Sequence, residues 1–150
     1  PWNDTEPTSS VFTVGNWSAT NGSGRTYVAY CFAGKTGYSK FGSYTGNGNA
    51  DGTFVYTGFK PTFIMIKRWS GGANNWTILD DKRDPTNQMD KGLFPNLNNL
   101  QTTGYNCDFL SNGFKWRLSG SGENGTDFGY IYMAFGKSLV GSNNIPATAR

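Results

Sequence analysis

The sequence predicts an all-β domain: an antiparallel β-sandwich, jelly-roll-like, with short strands, long polar loops and little or no helix. Three observations carry that expectation. Nine short runs of aromatic and β-branched residues are separated by turn signals about every ten residues. Gly, Asn, Ser and Thr gather between those runs, where tight turns need them. No stretch has the apolar spacing of an amphipathic helix.

The elements follow in order. Residues 11–14 and 27–33 are the first two runs, joined by a polar loop. Residues 40–44 precede the turn Gly46-Asn47-Gly48-Asn49-Ala50-Asp51-Gly52, and residues 53–57 follow it. Gly58-Phe59-Lys60-Pro61 reads as another turn, because Pro cannot donate to a ladder and holds Lys60 extended. Residues 62–68 are the most apolar run and are bulky on both faces, so a central strand covered on both sides is expected. The loop 69–75 then leads to an antiparallel partner at 76–80. Residues 81–106 form a polar excursion, in which Pro85, Pro95 and a cluster of Asn argue for an ordered loop. Strand returns at 107–110 and 113–118. In the second of these Phe114, Trp116 and Leu118 share one face, and Lys115 and Arg117 the other. Residues 130–135 close the set, and 138–150 read as a polar tail.

The chain also echoes itself. Asn21-Gly22-Ser23 leads into Tyr27-Val28-Ala29-Tyr30-Cys31-Phe32-Ala33. This block aligns without a gap to Asn124-Gly125-Thr126 and Tyr130-Ile131-Tyr132-Met133-Ala134-Phe135-Gly136, at an offset of 103 (Asn21 to Asn124). Ser10-Val11-Phe12-Thr13-Val14 answers Asp108-Phe109-Leu110-Ser111 less closely. Residues 1–34 are therefore expected to be the end of one module and 40–137 a whole one. The first copy lacks its own versions of 62–68 and 76–80. Left unpaired, its strands would form an aggregation-prone edge, so they either complete the sandwich of the 40–137 module or pair with a neighbouring chain; the first is the expectation, which makes 1–137 one domain.

Composition narrows the chemistry. Aromatics make up 16% and charged residues only 15%, which is not the make-up of a disordered chain. The net charge of +3 is small and scattered, with Lys67-Arg68 and Lys82-Arg83 as the basic doublets, so no nucleic-acid surface is expected. There is no His, which removes the commonest general base and the usual zinc ligand. The two cysteines, Cys31 and Cys107, form no CxxC motif. Cys31 lies in an apolar run, where a buried free thiol is favoured over a Cys31–Cys107 disulfide. No apolar run approaches the roughly 20 residues of a membrane helix. The chain opens with neither a signal peptide nor an initiator Met, so Pro1 reads as a processing boundary.

One set of residues carries a resemblance. Gly42-Ser43-Tyr44-Thr45-Gly46-Asn47-Gly48, Thr57-Gly58-Phe59-Lys60-Pro61 and Ile64-Met65-Ile66-Lys67-Arg68 occur in that order. Trp76-Thr77-Ile78-Leu79-Asp80 and Ser111-Asn112-Gly113-Phe114 come next, and the lead-in from Trp2-Asn3-Asp4-Thr5 to Phe12 is similar to the end of a preceding module. Together they resemble uncharacterised repeated β modules of virion-associated proteins in tailed bacteriophages, especially marine ones. That resemblance implies a tail-fibre, spike or head-fibre component on the virion surface, extracellular and not membrane-embedded. It brings no catalytic residues with it.

Acids offer little for catalysis. A glycosidase needs two carboxylates facing across a cleft, roughly 5–9.5 Å apart, and adjacent Asp80 and Asp81 diverge from a strand end. They are expected to bond Lys82, Arg83 or turn amides. Asn47-x-Asn49-x-Asp51-Gly52 resembles the start of a calcium loop, but Gly58 stands where the bidentate Glu belongs. A hairpin turn is the favoured reading of Asn47, Asn49 and Asp51; no metal and no cofactor is expected. The Asn-x-Ser/Thr sequons, such as Asn16-Trp17-Ser18, carry no glycan if the phage resemblance holds.

Aromatics are the candidates for binding, since sugar rings stack on exposed Trp and Tyr while amides take hydroxyls. Trp76 and Trp116 lie in strands beside apolar partners and are expected in the core. Trp69, at the mouth of a Gly-rich loop with Asn74 and Asn75, is the foremost platform candidate; Trp17 and Tyr105 come next. Packing against another subunit accounts for exposed aromatics equally well. The resulting expectation is a non-enzymatic virion protein, the C-terminal module of a fibre or spike. It would assemble with copies of itself, as a homotrimer by analogy with phage fibres, and with other virion proteins, and would adhere to host-surface glycans. The alternatives are a carbohydrate-binding module of a secreted protein and a polysaccharide depolymerase domain.

Overall fold

Seven of the nine expected runs are strands, and the two missing ones are the first two. The computed structural model describes residues 3–72 and 74–138; the expected tail beyond Ser138 lies outside them. The chain divides into two compact units, Pro1–Phe32 and Ala33–Arg150.

The second unit is all-β. Its strands are β1 (Ser39–Thr45), β2 (Phe54–Tyr56), β3 (Phe59–Arg68), β4 (Trp76–Asp80), β5 (Cys107–Leu110), β6 (Gly113–Trp116) and β7 (Gly129–Ser138). They form two antiparallel sheets, one ordered β1-β7-β3-β4 and the other β2-β6-β5. Alternation decides the inward faces. Ile64, Ile66, Leu79, Tyr130, Tyr132 and Ala134 of the first sheet meet Val55, Cys107, Phe109, Phe114 and Trp116 of the second in one buried cluster. The edge-to-face packing of Phe114 on Tyr132 and on Tyr44 joins the layers.

β3 is interior, flanked by β7 and β4, as its apolar sequence anticipated. Only one of its faces is fully covered: Ile64 and Ile66 are buried, while Phe63 and Met65 are half-exposed on the outer side. The turn expected at residues 58–61 is confined to a bend at Gly58, where φ is 85°. β3 already runs from Phe59, and the missing donor of Pro61 is absorbed by a register shift between Pro61 and Phe63 in the ladder with β7. Nor is the 46–52 segment a hairpin turn, because β1 and β2 belong to different sheets and the segment crosses between them. The 81–106 excursion is an ordered loop. Single bridges hold it, pairing Ile78 with Leu93, Met89 with Cys107, and Gly92 with Thr102.

β7 is the strand on which the first sheet closes, pairing along one edge with β1 and along the other with β3. The chain enters it through a hydroxyl clasp. Tyr130 donates its O–H to the Ser121 carbonyl at 2.8 Å and accepts from the Gly125 N–H at 2.9 Å. Beside the clasp, Asn124 is fully enclosed. Its Nδ2 lies 2.9 Å from Asn47 Oδ1, 3.0 Å from the Asn49 carbonyl and 2.8 Å from the Leu118 carbonyl. Its Oδ1 accepts from the Asn47 and Thr53 N–H groups. Tyr44 stacks on Tyr130, accepts from the Trp116 indole and donates to the Glu123 carbonyl at 2.6 Å.

The first unit repeats the clasp without the sheet. A short helix, α1 (Ser18–Asn21), leads to Tyr27, whose O–H donates to the Ser18 carbonyl at 2.7 Å and accepts from the Gly22 N–H at 2.7 Å. At the offset of 103 these are the atoms of the Tyr130 clasp. Residues 11–14 and 27–33, expected as strands, carry no ladder among the described residues. Cys31, expected to be buried, is exposed, because among the described residues no strand lies beside that run to cover it; Cys107 is buried, and both thiols are free.

The enclosure of Asn124 sets a stability test. Replacing it by Ala strands several buried partners, at a cost on the order of 3 kcal/mol. Asn124→Asp, nearly isosteric but with no amide N–H to share among these acceptors, is expected to be no better. Urea unfolding monitored by tryptophan fluorescence gives both values, with wild-type-like midpoints counting against this role.

Candidate functional site

The β3–β4 connection, residues 69–75, forms an exposed tip at one end of the sandwich. Trp69 is 65% exposed. Its backbone N–H donates to the Gly129 carbonyl at 3.0 Å, and Ser70 Oγ accepts the Gly129 N–H at 2.6 Å. The indole lies over Gly129, in space that any β-carbon there would fill. Gly71 and Gly72 both take positive φ, which turns the loop at little cost for residues without a side chain. The tip is thus anchored to the first residue of β7 while the ring stays accessible.

Polar and aromatic contacts brace this end. The Arg68 guanidinium sits 4.7 Å from the Phe128 ring centroid and donates to the Ser121 carbonyl at 2.9 Å. Asn74 donates from Nδ2 to the Gly122 carbonyl at 2.8 Å, and its own carbonyl accepts from Lys67 Nζ. Asn75 Oδ1 accepts from Asn96 Nδ2 at 3.0 Å, and Asn96 Oδ1 accepts the Trp76 N–H. Trp69, Asn74 and Asn75 therefore share one hairpin. The two Asn side chains hold its shape and leave Trp69 as the exposed contact surface.

The other candidates separate. Trp17 is 55% exposed and belongs to the first unit. Tyr105, expected at the surface, is buried. Its ring packs edge-on to Phe94 and over Gly92, where a side chain would collide with it, and its hydroxyl pairs with Thr102 Oγ1 at 3.0 Å. Of the two tryptophans expected in the core, Trp116 is fully enclosed and Trp76 only half-buried. In the calcium-like segment the oxygens are engaged. Asn47 Oδ1 accepts from the Asn49 N–H and Asn124, Asn49 Oδ1 from the Asp51 N–H, and Asp51 pairs with Lys115 at 2.8 Å.

Sequence reasoning missed a second aromatic surface. Phe54 and Tyr56 on edge strand β2 and Tyr38 just before β1 are all exposed. Lys40 Nζ lies 5.0 Å from the centroid of Tyr56 and donates to its carbonyl at 2.8 Å. The alternation Phe54-Val55-Tyr56, with Val55 inward, was the available signal.

The carboxylates are mostly engaged. Asp80 accepts the Lys82 and Arg83 N–H groups and pairs with Arg83, as its position predicted. Asp108 pairs with Arg117 at 2.6 Å. Partial burial pushes the Asp84 carboxyl up, but the N–H groups of Lys91 and Asp90 and the Lys91 ammonium hold it below the usual range. Glu123 differs. Burial pushes its carboxyl up, against the Thr77 hydroxyl that donates to it at 3.1 Å and the field of Arg68.

Fold and site together define a two-sheet antiparallel β domain with an aromatic hairpin tip. The chain belongs to the family described as Domain of unknown function (DUF7483), whose model matches residues 1–138. No curated protein and no solved structure matches it. Among the described residues no helix is long and apolar enough to cross a membrane.

The Glu123 environment predicts a pH dependence. A carboxyl raised on folding contributes its full stability below the unfolded pKa, and loses it as pH rises through the folded value. Gln at this position can still accept from Thr77 and never ionises. Glu123→Gln should therefore melt above the wild type at pH 7 and level with it near about pH 4. Thermal melts across that range check this; a constant difference at all pH values would contradict it.

Proposed function

We propose that this chain is a non-enzymatic bacteriophage virion protein, a module of a tail or capsid fibre or spike that serves assembly and adhesion to host-surface glycans. The observation that carries the reading is Trp69, an exposed indole on a braced hairpin at the end of a β-sandwich. An anchored aromatic presents a flat apolar face to a sugar ring at little entropic cost. The repeated module end and the resemblance to phage virion modules favour a serial, surface-displayed protein. The engagement of Asp51, Asp80, Asp84 and Asp108 by Lys, Arg and backbone amides weighs against a depolymerase.

One such platform binds weakly, and fibres compensate through many copies. The outer face of the four-stranded sheet offers a surface for self-assembly. Phe135 there packs edge-on against Phe41 at 5.8 Å and lies 6.1 Å from Phe63, and Ile131 is 42% exposed. A homotrimer would cover part of this face and the sheet edges.

The test joins light scattering to binding on a glycan array and on host cells. The expected result is an oligomer that binds glycan, with Trp69→Ala reducing affinity about tenfold, roughly the 1.4 kcal/mol of one aromatic contact. A strict monomer binding through Trp69 would point to a carbohydrate-binding module instead. Release of reducing sugar would overturn the non-enzymatic reading.

A further inference from the structure

The first unit holds a finished entry into a strand that has no sheet. Its backbone matches the β7 entry bond for bond: Asn21 N–H to the Trp17 carbonyl at 2.8 Å answers Asn124 N–H to the Gly120 carbonyl at 2.9 Å. Likewise Arg25 N–H to Gly22 at 3.2 Å answers Phe128 N–H to Gly125 at 3.2 Å. With the two tyrosine clasps, four hydrogen bonds recur at one offset. Beyond the clasp the two copies diverge. After Tyr130 the chain is laddered on both edges, whereas after Tyr27 the run 28–31 has no ladder among the described residues. Tyr130 and Ala134 are fully buried, whereas their counterparts Tyr27 and Cys31 are exposed, as are Val28 at 79% and Tyr30 at 82%. Asn21, the counterpart of enclosed Asn124, is exposed too. An open apolar hollow of 480 Å³ lies along Phe12, Val14, Ala19, Tyr27 and Ala29.

We propose that residues 10–31 are the closing segment of another sandwich: the run after Tyr27 is its β7, and the occupant of this surface is a β1–β6 body of the same family, carried ahead of it in the same polypeptide. Three arguments select that occupant. The clasp is built by the last strand of a module and comes after the body in chain order, so the matching body precedes it. The module at 39–138 cannot supply the slot, because its own β7 fills the space between β1 and β3. A second folded copy is filled in the same way, and accepting the run would mean expelling ten residues of β7. The docked run would pair on both edges, bury Cys31 where Ala134 lies, and set Asn21 among loops equivalent to 46–53. This inference does not depend on the adhesive reading, and its test reads burial rather than binding.

Cys31 is the reporter. Its alkylation rate is measured by peptide mass in the 150-residue chain and in a longer polypeptide in which a β1–β6 body of this family stands ahead of it. The expected result is rapid labelling in the former and labelling at least about 100-fold slower in the latter, as for a thiol reached only by opening. Equal rates would overturn the proposal. So would protection that grows with concentration in the 150-residue chain alone, which would mean exchange with a second copy. Asn21→Asp supplies a second readout. It should leave the melting of the 150-residue chain unchanged and lower a transition in the longer polypeptide; an unchanged transition there counts against the inference.

Discussion

The side-chain amide of Asn124 is the point at which this fold is tied. It is fully enclosed, and three stretches of chain meet on it: the 47–53 crossing between sheets, the end of β6 near Leu118, and the entry to β7. A buried amide held on every side is worth more than its separate bonds, because each orphaned partner would face an apolar interior. The next residue, Gly125, donates its N–H to the Tyr130 hydroxyl in the clasp that delivers β7 into the slot between β1 and β3. Without that strand the first sheet splits into β1 alone and the β3–β4 pair.

The two copies of the clasp separate local from non-local physics. Both form, because a Gly amide, a Ser carbonyl and a Tyr hydroxyl meet within ten residues of chain. The strand beyond it is not local. Tyr27-Val28-Ala29-Tyr30 is rich in aromatic and β-branched residues, as is its later counterpart, but propensity in a strand is largely the reward of neighbours on either side. This explains which elements were legible. The Phe114/Trp116 alternation and the apolar run of β3 identify strands whose ladder partners are present, while residues 11–14 and 27–33 carry the same signal and join no ladder among the described residues. Pro61 misled for a related reason, since a bulge opposite β7 lets a residue without an N–H sit inside a ladder.

The site was legible where exposure depends on the loop itself. A Trp opening a Gly-rich turn protrudes whatever the rest of the chain does, and Trp69 does so. Tyr105 has similar polar neighbours but is buried, because the ring finds Gly92 and Phe94 through a loop fold that no short window reveals. Asn74 and Asn75 stand at the expected place, but bonds to Gly122 and Asn96 commit their side chains to structure. Glu123 offered no signal at all. Its burial arises from β4 and the 119–128 loop meeting, contacts distant in sequence from one another.

The tie and the candidate platform are mechanically one object. Trp69 and Ser70 bond to Gly129, the first residue of β7, and the indole rests on that residue's bare α-carbon. Arg68 and Asn74 reach into the same 121–128 turn that the Tyr130 hydroxyl closes. The strand that completes the first sheet therefore also positions the exposed ring, and a module without its β7 would lose both together. Where modules succeed one another in a chain, each platform would be set only when its own clasped strand docks. The orientation of the aromatic tip would then be a consequence of sandwich closure, fixed by the same few hydrogen bonds.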